Sequence, residues 1–164
     1  MNERSIRVAG IGNALAGDDA VGLHVAENIR QQHWAAVECV AQSQPGPALF
    51  EGLGCNDLLI VIDACRTGAG AGSVLRFSPG DLQHSGLRHT STHGLGLADW
   101  LGFADQLGES PPEMLVYGIE ANQCRMGEGL SDVVAAAIPA LLELIRSDID
   151  AVAGKAVAMD NTSH

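Results

Sequence analysis

Leu58-Leu59-Ile60-Val61-Ile62-Asp63-Ala64 is the stretch that decides the fold, because its first five residues are all large and apolar. A strand with one exposed face alternates apolar and polar residues, whereas an unbroken apolar run is typical of a strand covered on both faces. Such strands occur mostly in parallel sheets that carry helices on each side. The run therefore predicts a central parallel strand, with Asp63 at its carboxyl end.

Strand-like and helix-like segments alternate on both sides of this run. Short apolar segments predict strands at 5–10, 37–41, 74–77 and 114–119, and apolar residues at three- and four-residue spacing predict helices at 20–32 and 131–146. Right-handed crossovers between parallel strands place the helices on the sheet faces and a site at the carboxyl edge. The expected fold is an α/β three-layer sandwich, a mostly parallel twisted sheet flanked by helices.

Length and composition indicate one domain. A chain of 164 residues with 46% hydrophobic content can bury one substantial core and is too short for two ordinary domains. We predict a single domain over residues 1–149. Small and polar residues predominate over 150–164, and there we predict a disordered tail.

The charge excludes several classes of partner. Twenty acidic residues against nine basic ones give a formal net charge of -11, which would repel a phosphate backbone, so no nucleic-acid partner is expected. The N-terminal residues lack the pattern of a signal peptide, and no apolar run approaches the roughly 20 residues that span a bilayer. The four cysteines form no CxxC pair. We expect a soluble, cytoplasmic protein with reduced thiols and no membrane contact.

A glycine-rich turn, Gly10-Ile11-Gly12-Asn13, follows the first predicted strand and precedes a helix, as in dinucleotide-binding proteins. The fingerprint fails in detail, because Leu15 stands where a third glycine is needed. Asp18 and Asp19 would also repel a phosphate at the helix N-terminus. No P-loop motif is present either, so we expect no nucleotide.

Three side chains, Asp19, Asp63 and His93, are expected to meet at one edge of the sheet. Each has a simpler explanation alone: Asp19, like its neighbour Asp18, as an N-cap or turn former, Asp63 as an ordinary strand end, and His93 as a loop residue. Two carboxylates about 5 Å apart at an effective dielectric near 20 repel by about 3 kcal/mol, so together they need a positive charge. A divalent cation bound by the two carboxylates and the imidazole would supply it, which favours hydrolysis. Cys65 has no evident base partner, and a half-buried thiol is its simplest interpretation.

These motifs resemble those of the nickel-iron hydrogenase maturation endopeptidases. The resemblance spans about residues 7–146 and rests on the turn from Gly10 to Gly22 with its acidic pair, on Ile62-Asp63-Ala64, and on the stretch from His93 to Asp99. One departure is the segment 42–47, where many relatives carry a glycine-threonine turn. That segment bears on which large subunit is recognised, so the subgroup remains open.

The resemblance implies a phosphorylase/hydrolase-like fold and a protease that removes the C-terminal extension of a hydrogenase large-subunit precursor after nickel insertion. Asp19, Asp63 and His93 match the family's metal-contacting positions, and Asp19 and Asp63 are the expected catalytic residues. Nickel would be presented by the substrate, and we expect a monomer. The alternative is a catalytically silent nickel-sensing chaperone module on the same fold. The roles of Asp18, Cys65, His84 and His89 stay open.

Overall fold

The computed structural model describes residues 3–84, 102 and 110–160. Within this part of the chain, five strands form a single sheet. The strands are β1 (Ile6–Ile11), β2 (Val37–Gln42), β3 (Leu58–Cys65), β4 (Val74–Phe77) and β5 (Glu113–Glu120). Each of the five predicted strands is confirmed, with ends that differ by at most three residues.

The sheet order is β2-β1-β3-β5-β4, so the unbroken apolar run lies at the centre. β1 pairs in parallel with β2 and β3, and β3 pairs in parallel with β5, whereas β4 is antiparallel to β5 at the edge. All eight residues of β3 are buried, as expected for a strand covered on both faces. The predicted α/β fold with a mostly parallel sheet is confirmed.

The described helices are α1 (Val21–Gln31), α2 (Pro79–His84) and α3 (Asp132–Asp160). α1 and α3 cover one face of the sheet, where Val25, Ile60 and Leu141 belong to the larger apolar cluster. The opposite face is covered by the short 3₁₀ turn Pro47–Leu49 and the residues after it, which pack on Ala9 and Val61. Each face of the sheet thus has its own core.

Helix α3 differs from the prediction at its C-terminal end. We predicted a disordered tail from residue 150, but the helix continues to Asp160. Ile149 and Val152 are buried and extend the apolar stripe that includes Ile145, so the helix still has a face to pack on the sheet. The alanines in this segment also favour a helix. Pro139 lies inside α3 without ending it. In the described residues, no helix has both the length and the apolar character needed to cross a bilayer.

Candidate active site

Asp19 lies in a 3₁₀ turn, Gly17–Ala20, between β1 and α1. Its side chain is 5% exposed, and one carboxylate oxygen accepts a hydrogen bond from the backbone N–H of Asn13 at 3.0 Å. A Cβ on Gly12 would lie 2.0 Å from the backbone oxygen of Asp19, so only glycine lets the chain pass so close to this turn. The glycine-rich motif therefore holds a buried carboxylate in place.

Asp63 is near the carboxyl end of β3 and is 8% exposed. Its carboxylate accepts a hydrogen bond from the backbone N–H of Ala64 at 2.8 Å. A Cβ on Gly22, in the first turn of α1, would lie 2.3 Å from the backbone oxygen of Ile62. The start of α1 thus packs directly against the end of β3, which brings Asp19 and Asp63 to the same edge of the sheet.

His93, the third predicted site residue, lies outside the described residues, as does His89. Among the described residues, no group of three or more histidines, cysteines and acids is arranged to hold a metal ion. The described part of the predicted trio is therefore its two carboxylates. A pair of buried carboxylates at one edge fits the oxygen ligands that divalent cations take in proteins.

Asp18 is fully buried and lies in the 3₁₀ turn but does not cap a helix, so the capping part of its simpler explanation is wrong. No side chain caps the 3₁₀ turn or α1. Instead, the Asp18 carboxylate accepts hydrogen bonds from the backbone N–H groups of Asn122, Gln123 and Ser131 and from the Ser131 hydroxyl, at 2.7–3.0 Å. Ser131 directly precedes α3, so these bonds tie Asp18 to the start of that helix. We call these four hydrogen bonds the Asp18 latch.

The hydrogen bonds of the Asp18 latch favour the ionised form of the Asp18 carboxyl. Burial by itself raises the pKa of the Asp18 carboxyl, but the hydrogen bonds from Gln123, Ser131 and Asn122 outweigh burial, so the pKa lies below its ordinary value. The latch joins the acidic turn to the loop that precedes α3. Residue 19 is therefore positioned partly by contacts more than 100 residues away along the chain.

Glu120 holds a second loop at the same edge through a set of hydrogen bonds that we call the Glu120 clamp. It ends β5, is 5% exposed, and accepts hydrogen bonds from the backbone N–H groups of Thr67 and Gly68 and from the Thr67 hydroxyl. Burial raises the pKa of Glu120, but these bonds outweigh it, so the pKa lies below its ordinary value. The loop after β3 is thereby fixed beside Asp63. Sequence reasoning missed Glu120, although its place at the end of an apolar strand is the same signal that identified Asp63.

Cys65 is buried beside Glu120, and its thiol donates to the Glu120 carboxylate at 3.7 Å. Burial first, and then the charge of Glu120 and its hydrogen bond, raise the pKa of the Cys65 thiol to about 12, with a smaller contribution from Asp63. The thiolate is the nucleophilic form of cysteine, so this side chain is inert near neutral pH. We expected an ordinary half-buried thiol, and the structure shows Cys65 more deeply buried, with 5% of its surface exposed.

Arg66, which sequence reasoning also missed, brings a positive charge to the edge. It is exposed and directly follows β3. A hydrogen bond with Cys124 and the negative charges of Glu120 and Asp19 raise the pKa of its guanidinium. A cation near Asp19 offsets part of the repulsion expected between buried carboxylates.

The comparisons with known proteins agree with this geometry. Residues 20–148, well over half of the chain, match the family model described as hydrogenase maturation protease. The chain is 28% identical over 160 residues to the Hydrogenase 2 maturation protease of Escherichia coli K12, covering 93% of this chain and 98% of that protein. It is also 28% identical over 123 residues to the hydrogenase expression/formation protein HupD of Thiocapsa roseopersicina, where it spans only 55% of that protein's length.

Solved structures show the same similarity. The hydrogenase maturating endopeptidase HybD of Escherichia coli superposes with a TM-score of 0.71 at 28% identity, covering 89% of this chain and 92% of that one. The maturation protease HycI of Thermococcus kodakarensis gives a TM-score of 0.67 at 26% identity, covering 86% and 89%. Together with the family match, these likenesses confirm the resemblance seen in the motifs. The chain belongs to the hydrogenase maturation protease family, a family of endopeptidases.

Proposed function

We propose that this protein removes the C-terminal extension of a nickel-iron hydrogenase large-subunit precursor after nickel insertion. The observation that carries the proposal is the pair of buried carboxylates, Asp19 and Asp63, at one edge of the sheet in a member of the protease family. The family match favours a protease over the catalytically silent nickel-sensing module. The described elements belong to one sheet and its helices, which supports a single peptidase domain.

Nickel is part of the substrate in this proposal. Asp19, Asp63 and His93 contact the metal that the precursor presents, so a precursor without nickel lacks the ion that these side chains recognise. Asp19 and Asp63 are both buried at this edge of the sheet, and a bound cation would offset the cost of burying two negative charges. Recognition of nickel is then a check that the precursor is complete before its tail is removed.

Asp19 and Asp63 also carry the chemistry. A carboxylate beside the scissile carbonyl accepts a proton from water as the water oxygen adds to the carbonyl carbon, and the proton then passes to the leaving amine. The C–N bond breaks and releases the C-terminal fragment. The pKa of about 12 at Cys65 removes the thiol at this edge as a competing nucleophile.

Charge complementarity suggests how the two proteins meet. With a net charge of -11, this chain attracts a partner whose scissile region is rich in basic residues. Added salt should then slow association, because it screens charges beyond about 10 Å at 0.1 M. An association rate that does not change with salt would contradict this part of the proposal.

The test is to incubate the purified protein with nickel-loaded and nickel-free large-subunit precursor from the same source and to measure the intact mass of each. We expect loss of a C-terminal fragment from the nickel-loaded precursor alone. Asp19→Asn and His93→Ala should leave the precursor uncut, whereas Asp150→Asn, which alters an exposed carboxylate on α3, should cut normally. Cutting by both site variants would refute the proposed roles, and no cutting by the wild type would refute the function.

We also propose that the protein acts as a monomer in the cytoplasm. All four cysteines are free thiols, which is usual in a reducing compartment. Light scattering after size-exclusion chromatography should give a mass near 17.0 kDa, and cell fractionation should recover the protein in the cytoplasmic fraction. A mass twice as large would contradict the proposed monomer. Recovery with the membranes or the periplasm would contradict the proposed location.

A further inference from the structure

Two large apolar side chains are exposed next to the acidic turn. Leu15 is 64% exposed and Met126 is 66% exposed, and they are the most exposed large hydrophobic residues in the described part of the chain. They lie on neighbouring segments, because Ala16 forms an antiparallel bridge with Met126 and the N–H of Gly127 donates to the backbone oxygen of Leu15 at 2.7 Å. We call them the Leu15–Met126 pair.

The backbone under this pair is held firmly. On the Leu15 side, the Asn13 side chain accepts a hydrogen bond from the N–H of Leu15, and Gly17 donates to the backbone oxygen of Glu128. On the Met126 side, the Asp18 latch fixes the ends of the same loop. A surface ordered before binding loses less conformational entropy when a partner covers it. The pair is therefore suited to binding.

The pair is continuous with the candidate active site. Leu15 is four residues before Asp19, and Asn13 joins the two through its backbone N–H bond to the Asp19 carboxylate. A polypeptide bound at Asp19 that extends along this segment would cover Leu15 and Met126, so we call the pair the rim of the site. Apolar side chains at the rim contribute affinity when covered, whereas the net charge of -11 on the whole chain contributes mainly to the rate of encounter.

We propose that the Leu15–Met126 pair binds apolar side chains of the precursor segment that flanks the scissile bond. This inference rests on the proposed function, since the occupant is the same substrate. The other molecule that could cover the Leu15–Met126 pair is a second copy of this chain. The pair then determines which precursors are held at the carboxylates, separately from the recognition of nickel.

The test compares Leu15→Ser, Met126→Ser and the double variant with Leu144→Ser, which removes a similarly exposed leucine (48%) from α3. Because all three residues are exposed, each variant should fold normally. With nickel-loaded precursor, we expect KM to rise about tenfold for each single rim variant and more for the double variant. We expect kcat to change less than about twofold, since the substitutions remove contacts made equally in ground and transition states. Leu144→Ser should match the wild type.

The outcomes separate the two proposals. If the wild type cuts the precursor and the double variant has an unchanged KM, the inference is wrong while the function stands. If the wild type does not cut, the function is refuted, and the inference is decided by calorimetric binding of the same precursor. In that binding experiment, an unchanged Kd of the double variant for the precursor overturns the inference. A higher Kd, which means weaker binding, supports it. Loss of self-association, with precursor binding intact, identifies a second copy as the occupant and also overturns it.

Discussion

The Asp18 latch gives the sharpest prediction about stability. In Asp18→Asn, an amide NH₂ group replaces one carboxylate oxygen. This group is itself a donor, so it cannot accept the hydrogen bonds that the oxygen accepted. One oxygen accepts from Asn122, Gln123 and the Ser131 hydroxyl, and the other accepts from the Ser131 N–H, so either orientation of the amide loses at least one bond. Hydrogen bonds to a charged group contribute about 1.5–3 kcal/mol, so we expect a loss of about 3 kcal/mol.

The measurement is the free energy of unfolding in urea at pH 7, with thermal unfolding beside it. For a domain of this size, a loss of about 3 kcal/mol corresponds to a fall in Tm of about 6–12 °C. Asp150→Asn, a matched change at an exposed carboxylate, should stay within about 0.5 kcal/mol of the wild type. A loss below about 0.5 kcal/mol in Asp18→Asn would show that the latch does not stabilise the fold.

The pH dependence of this difference has a definite sign. The pKa of Asp18 is lower in the folded protein than its ordinary 3.8, because hydrogen bonds to Gln123, Ser131 and Asn122 outweigh burial. The stabilisation is therefore fully present above about pH 4 and is lost as the pH falls through the folded pKa. The gap between wild type and Asp18→Asn should narrow below pH 4. If the difference in unfolding free energy grows as the pH falls, the lowered pKa of Asp18 is not the cause of the stabilisation.

Three further outcomes follow from the same edge. Gly12→Ala should cost about 1–3 kcal/mol of stability, because its Cβ meets a backbone oxygen at 2.0 Å, whereas Gly54→Ala, with no atom within 3.4 Å, should be nearly neutral. At pH 8, iodoacetamide should label the exposed Cys55 and leave Cys65 unmodified by peptide mass, since the Cys65 pKa is about 12; equal labelling would contradict this. Glu120→Gln should lose about 2 kcal/mol in urea unfolding, and a stability equal to wild type would disprove the clamp.

Much of the fold was predictable because its determinants are local. The unbroken apolar run of β3 requires cover on both faces, and that alone indicates a parallel sheet with helices. The spacing of Val21, Val25 and Ile29 similarly specified the buried face of α1. The end of α3 was missed because small and polar residues predominate after residue 150, and only the structure shows that Ile149 and Val152 pack in the core.

The sequence by itself determined the sheet, its central strand and the edge where Asp19 and Asp63 lie, since periodicity and strand-end position are properties of short segments. Only the tertiary structure decided what the neighbouring polar residues do. Asp18 bonds to Ser131 and Glu120 bonds to Thr67 across 113 and 53 positions of the chain. A hydrogen bond depends on distance and direction between two atoms, and no local pattern encodes either for residues so far apart.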